Sequence, residues 1–183
     1  MSTGPLFEGD GAIFSACRRY RFRLWRTWDP MLPTMMFLGL NPSTADETAN
    51  DPTIERCVRR AREYGFGRLF VGNIFALRST DPAALYTAED PVGRLTWDED
   101  NNRHLRSMAR ASDMILCGWG KHGAHLKRGQ WVKYEIGRIV LNQNRPQREW
   151  KLKPLHVLRL NKDGTPQHPL YVGYDVKPTR WEI

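Results

Sequence analysis

Apolar and polar positions run along this chain in two rhythms, period two and period three to four, and each stretch predicts a different element. Residues 18–28, RRYRFRLWRTW, alternate basic and apolar side chains. That alternation predicts a strand with a dry face of Tyr20, Phe22 and Leu24 and a charged face of Arg19, Arg21 and Arg23. Residues 34–40, TMMFLGL, form a nearly continuous apolar run, the pattern of a central strand covered on both faces. Residues 51–65 then switch to helical spacing, with Ile54, Val58 and Ala61 on one face. Asp51 suits the N-cap, Pro52 the first helical position and Gly65 the stop. A second apolar strand follows at 68–77, ending near Asn73, and a helix is predicted at 98–111. A third buried strand is expected at 113–119, a helix at 130–141 and a fourth core strand at 155–160.

Strands alternating with helices predict an α/β fold: a three-layer sandwich with a mostly parallel, four- to five-stranded central sheet and helices on both faces. No repeat or linker divides residues 1–183, so one domain is expected, with 1–15 as an irregular arm. Apolar residues make up 40% and charged residues 26%, the balance of a globular chain. No apolar run is long enough to span a bilayer, and the opening lacks a basic-then-apolar leader, which makes the cytoplasm the expected compartment. Cys17, Cys57 and Cys117 are scattered and read as reduced thiols filling core gaps. A monomer without cofactor is expected, since neither GxGxxG nor a phosphate loop occurs. The 28 Lys and Arg against 20 Asp and Glu leave a net charge of +8. That excess suits a polyanionic partner such as DNA or a nucleotide.

In an open α/β sheet, ligands bind beyond the carboxyl ends of the strands. Each predicted core strand delivers polar groups there: Asn41 and Ser43 after the first, Asn73 on the second, Trp119, Lys121 and His122 after the third, and His168 after the fourth. Taken singly, each has a plain structural use. Asn41 can form an Asx turn, Asn73 can satisfy a backbone group and Trp119 can pack in the core. Their common edge is what points to a site. Arg18, Arg19, Arg21 and Arg23, with Lys121, His122, Lys127 and Arg128, form the candidate phosphate-contacting stripe; a solvated edge that discourages strand pairing is the alternative.

These residues carry a resemblance. Gly39-Leu40-Asn41-Pro42-Ser43 resembles the first motif of the uracil-DNA glycosylase superfamily, above all its mismatch-specific branch. Residues 115–122, ILCGWGKH, look like that superfamily's strand ending in Leu-Trp-Gly, and His168-Pro169 resembles its His-Pro-Ser motif. The strings NPSTAD, DPTI, PVG, QHPLY and residues 73–82 are also similar to a bacterial and phage family known as a domain of unknown function. The first resemblance implies a glycosylase-like fold and an N-glycosidase for a modified or mismatched pyrimidine in DNA. Asn41 would hold the water, His168 would donate to a base carbonyl and Asn73 would read the base edge, with Phe75 or Trp119 stacking on its face. Two departures stand out. An amide cannot act as a general base, and Leu170-Tyr171 replaces the serine and wedge of the familiar motif. Of the acids Asp46, Asp51 and Asp81, all suited to caps and turns, Asp46 is the one to test as a hidden base. A non-catalytic reader of bases, or an enzyme acting on free or phage-modified nucleotides, is the alternative reading.

Overall fold

The apolar runs of the sequence become the middle of a seven-stranded sheet in the computed structural model, which describes residues 9–140, 146–147 and 151–182. The strands are β1 (Gly11–Phe14), β2 (Arg21–Thr27), β3 (Thr34–Gly39), β4 (Arg68–Asn73), β5 (Met114–Cys117), β6 (Leu155–Val157) and β7 (Thr179–Trp181). Their order is β1-β2-β4-β3-β5-β6-β7. The four inner strands β4, β3, β5 and β6 are mutually parallel, while β1, β2 and β7 join antiparallel. The sheet is therefore mixed and larger than the mostly parallel, four- to five-stranded one expected. The two overlooked strands lie at the edges and are three or four residues long, too short to display a period. β1 falls inside the arm expected to be irregular.

Helices cover both faces. On one side α1 (Pro52–Glu63) lays Ile54, Cys57 and Ala61 over Met35, Phe37, Leu69 and Val71. Its boundaries follow from local chemistry. The Asp51 side chain accepts from the Ile54 N–H at 2.9 Å, Pro52 opens the first turn, and Gly65 leaves it at φ +80°. After β4 come a four-residue turn of helix, α2 (Ala84–Thr87), and then α3 (Asn101–Ala111), capped by Asp100. On the opposite side Leu105, Met108 and Ala109 of α3 meet Met36, Leu38 and Phe70, joined there by Val132 and Ile136. The helix expected over 130–141 instead covers 128–136, its second half a π-type turn. A 3₁₀ segment over Lys121–Lys127 leads into α4 (Arg128–Trp131) and a π-type turn over Val132–Ile136. Leu126 and Lys127, both at positive φ, separate α4 from the 3₁₀ turns before it and so set its start, and residue 141 lies outside the described residues.

The charged face expected on β2 does not exist as such. The β1–β2 register shifts between Ile13 and Phe14, opposite Phe22. Phe22 therefore joins the α3-side core and Leu24 the α1-side core. Both faces of β2 are covered, and Arg21 and Arg26 are only 2% and 3% exposed. Arg23 turns toward α3 and donates from Nε to His104 Nδ1 at 2.7 Å, while Phe22 stacks on the same ring.

Burial and the adjacent Arg23 cation hold His104 down to about 4, from the ordinary imidazole value of 6.5. Between these two values the unfolded chain binds a proton that the folded chain excludes, so stability rises with pH across that window and is lost on acidification. Going from neutral pH to about 4 is expected to cost about 1–2 kcal/mol through this residue, after discounting for its partial exposure. Denaturant unfolding at a series of pH values measures the slope, which a His104→Asn variant should flatten.

Candidate functional site

The β3–α1 connection leaves the sheet on one face and the β4–α3 connection on the other. Their divergence opens a crevice at the carboxyl ends of the inner strands, where such folds hold ligands. A cavity of about 710 Å³ occupies it. Four strand ends feed this cavity: Gly39 and Asn41 from β3, Asn73 from β4, Trp119 and Lys121 beyond β5, and His168 beyond β6. The three residues expected to act on a ligand, Asn41, Asn73 and His168, thus share one space, with Ser43 and His122 also on its wall.

Each of the three is held so that one polar atom stays available. Asn41 donates from Nδ2 to the Ser79 carbonyl at 2.8 Å and to the Pro42 carbonyl at 3.2 Å. Both contacts use the amide nitrogen, so the carbonyl Oδ1 remains as an oriented acceptor. Asn73 pairs in register with Gly39 and is 5% exposed. Its Oδ1 accepts from Arg21 Nη2 at 3.1 Å. Because a guanidinium only donates, this contact fixes which way the amide points and turns Nδ2 toward Gly39. A Cβ at position 39 would stand 2.8 Å from that nitrogen, so the glycine is what makes room for it. His168 caps the short 3₁₀ turn Pro169–Tyr171, its Nδ1 accepting from the Leu170 N–H at 3.4 Å. Burial lowers its pKa against the opposing pull of Asp51, which keeps the ring neutral at pH 7. A neutral imidazole with Nδ1 accepting carries its proton on Nε2, and that N–H is its free donor.

Beneath the amides lies Arg21. It donates to the Ala45 carbonyl at 2.8 Å as well as to Asn73, and its buried Nε has no partner. Burial brings its pKa down to about 10, and the field of Asp51 opposes that shift, so the cation persists at neutral pH. Arg21 is thus a buried element of the cavity wall rather than a surface phosphate contact.

Other expected residues go elsewhere. Phe75 is fully buried on the α3 side, its ring 5.6 Å from that of His125, and does not reach the cavity. Aromatic rings on the cavity wall come from Phe37, Trp119 and Tyr171; the Phe37 ring edge closes against Gly39 and Gly118, where added Cβ atoms would meet it at 3.1 and 2.9 Å. Trp119 lines the wall, but its indole packs on Gly123 and lies 5.7 Å from Trp181, which leaves it 2% exposed. It is wall rather than stacking platform. Arg19 is exposed beside Leu77 and Arg78 and does not line the cavity, and Arg23 faces α3. Arg18 pairs with Glu47. Arg128 is buried and donates to the Ile74 carbonyl and Asn102 Oδ1. Only Lys121 and His122 of the proposed stripe stand on the rim, the latter held by the Tyr86 hydroxyl at 2.9 Å. Cys57 and Cys117 are buried free thiols, as expected, whereas Cys17 is exposed.

Among the acids, Asp46 is spent on a local turn. Its Oδ1 accepts from the Thr48 and Ala49 N–H groups, backbone bonds that also lower its pKa. Two carboxylates reach the cavity wall, Asp51 and Asp163; Asp163 is exposed, with its Oδ1 taken by the Thr165 N–H and hydroxyl, whereas Asp51 is buried. A helix cap directly after the first parallel strand was the signal that could have placed it there, because such a cap borders the crevice.

Among the described residues no cluster of His, Cys, Asp or Glu is arranged to hold a metal ion, and no helix is long and apolar enough to cross a membrane. Neither the curated proteins nor the solved structures contain a match to the chain. A family model described as "Protein of unknown function (DUF1643)" matches residues 21–170, so the chain belongs to that family.

Proposed function

We propose that this protein is a uracil-DNA-glycosylase-like N-glycosidase that removes a modified or mismatched pyrimidine from DNA. The observation that carries the reading is the meeting of Asn41, Asn73 and His168 in one cavity, each with an unused acceptor or donor. Breaking an N-glycosidic bond builds positive charge on the sugar and negative charge on the departing base. A protein accelerates it chiefly by placing a water, stabilising the base anion and excluding bulk solvent. Asn41 Oδ1 is the acceptor for the water, and His168 Nε2–H is the donor at a base carbonyl. Asn73 reads the base edge with Nδ2 and the second lone pair of Oδ1. Phe37 supplies the apolar surface for the ring. The net charge of +8 and the rim residue Lys121 favour an anionic backbone outside the cavity.

The test is release of free base from duplex and single-stranded oligonucleotides bearing uracil, hydroxymethyluracil or mismatches. His168→Ala is expected to slow release about 10²–10³-fold, the effect of deleting one donor at a developing anion. If the wild type makes no more abasic sites than an Asn41→Ala, His168→Ala double variant, the hydrolytic reading is wrong. A second reading, action on free nucleotides, is favoured by the inward turn of Arg21 and Arg23. With Arg21 buried and Arg23 half-buried against His104, two cations of the stripe are withdrawn from a long duplex. Turnover of mononucleotides with little salt dependence, and none of oligonucleotides, would establish it instead.

A further inference from the structure

We infer that Asp51 is the general base of this cavity, an assignment that rests on the N-glycosidase reading. Hydrolysis needs a group to take the proton of the attacking water, and the amide of Asn41 can orient a water but cannot deprotonate it. Asp46 cannot serve, because it does not line the cavity, and Asp163, which does, is an exposed residue tied to Thr165. Asp51 is the buried carboxylate of the wall. Its Oδ1 is fixed by the Ile54 N–H at the start of α1, whereas Oδ2 has no hydrogen-bond partner. The residue is 7% exposed and lies on the cavity wall, so the water it can reach is water inside the cavity. Its charge acts on both Arg21 and His168. One carboxylate is therefore set opposite the cation beneath Asn73 and the imidazole that donates to the base.

The step balances as follows. A water bound at Asn41 Oδ1 gives a proton to Asp51 Oδ2 while its oxygen bonds to the sugar C1′. The C1′–N bond breaks, and its electron pair leaves on the base as an anion, met by His168 Nε2–H and Asn73 Nδ2–H. The proton on Asp51 then passes to the base nitrogen through solvent, which restores the carboxylate. Water is consumed, and a free base and a sugar hydroxyl are formed.

The plain alternative is that Asp51 only caps α1. Asparagine caps a helix as well as aspartate does, so Asp51→Asn separates the two roles. The variant is expected to keep the thermal midpoint of the wild type and to lose about 10²–10⁴-fold in kcat, with KM little changed. Asp51→Ser also caps and leaves space for a small carboxylate, so added formate should restore part of its lost turnover. The same oligonucleotide assay reads all three proteins. An Asp51→Asn variant that keeps more than about one-tenth of kcat overturns the assignment. So does an Asp51→Ser variant whose loss formate leaves unrestored. A wild type that releases no base from any substrate fails at a different point, and it removes the glycosidase reading together with the base.

Discussion

Replacing Arg60 by alanine is expected to lower the unfolding free energy by about 3–5 kcal/mol, the range for truncating a large, fully buried side chain. Arg60 is fully buried although it sits on a helix otherwise rich in exposed charge. Its Nη1 donates to the Tyr64 hydroxyl at 2.9 Å and the Val176 carbonyl at 3.2 Å, and its Nη2 to the Val172 and Gly173 carbonyls at 2.8 and 2.7 Å. These carbonyls belong to the irregular segment after His168, which has no sheet partner to satisfy them. Arg56 completes the clamp by donating to the Pro169 and Val172 carbonyls. Alanine at 60 removes four donated hydrogen bonds, leaving the Val172, Gly173 and Val176 carbonyls to Arg56, the Val176 N–H and the Tyr64 hydroxyl, and opens a void where the guanidinium stood. The midpoint of thermal unfolding should fall by on the order of 10 °C for a chain of this size. Lysine should not rescue it, since a single ammonium cannot reproduce the planar fork. A midpoint within a degree or two of the wild type would show that α1 does not anchor the His168 turn.

The second large effect is expected at Asn73. Its alanine variant should lose at least about 100-fold in kcat/KM on any pyrimidine substrate. A site built to hydrogen-bond a base edge discriminates by that much or more when the contact is gone. The loss has two sources that act together. The Nδ2 donor disappears from the cavity, and Arg21 Nη2 is left buried without its acceptor. The second source also costs about 1–3 kcal/mol of stability, so activity should be measured well below the unfolding transition. Steady-state kinetics on a cleavable oligonucleotide provide the check, and kcat/KM within tenfold of the wild type would remove Asn73 from base recognition.

The residues differ in how openly the chain displayed their roles. α1 was legible to within a residue or two, because Asp51, Pro52 and Gly65 act through their own backbone geometry and need no distant partner. β3 and β4 were legible because two covered faces demand continuous apolar runs. The convergence of Asn41, Asn73 and His168 was legible through the rule that parallel strands present their carboxyl ends to one edge. Arg21 was misread for a physical reason. Period two says which side chains share a face, but it does not say whether the other face meets solvent. The register shift beside Phe22 then moved Phe22 and Leu24 to different cores. Phe75 was misassigned because a residue just past a strand end can turn either way. Phe37, two residues before the strand end, was hidden inside an apolar run.

Local order along the chain was enough to determine the helix caps, the inner strands and the edge of the sheet on which polar groups gather. All of these follow from contacts between residues close in sequence, or from a rule of strand direction. Only the tertiary structure decided which face of β2 was buried, that Arg21 lies beneath Asn73, and that Asp51 rather than Asp46 opens into the cavity. Those outcomes depend on pairings across twenty or more positions, such as Arg21 with Ala45 and Arg60 with Val172, where burial and unsatisfied hydrogen bonds are set by groups that no local pattern names.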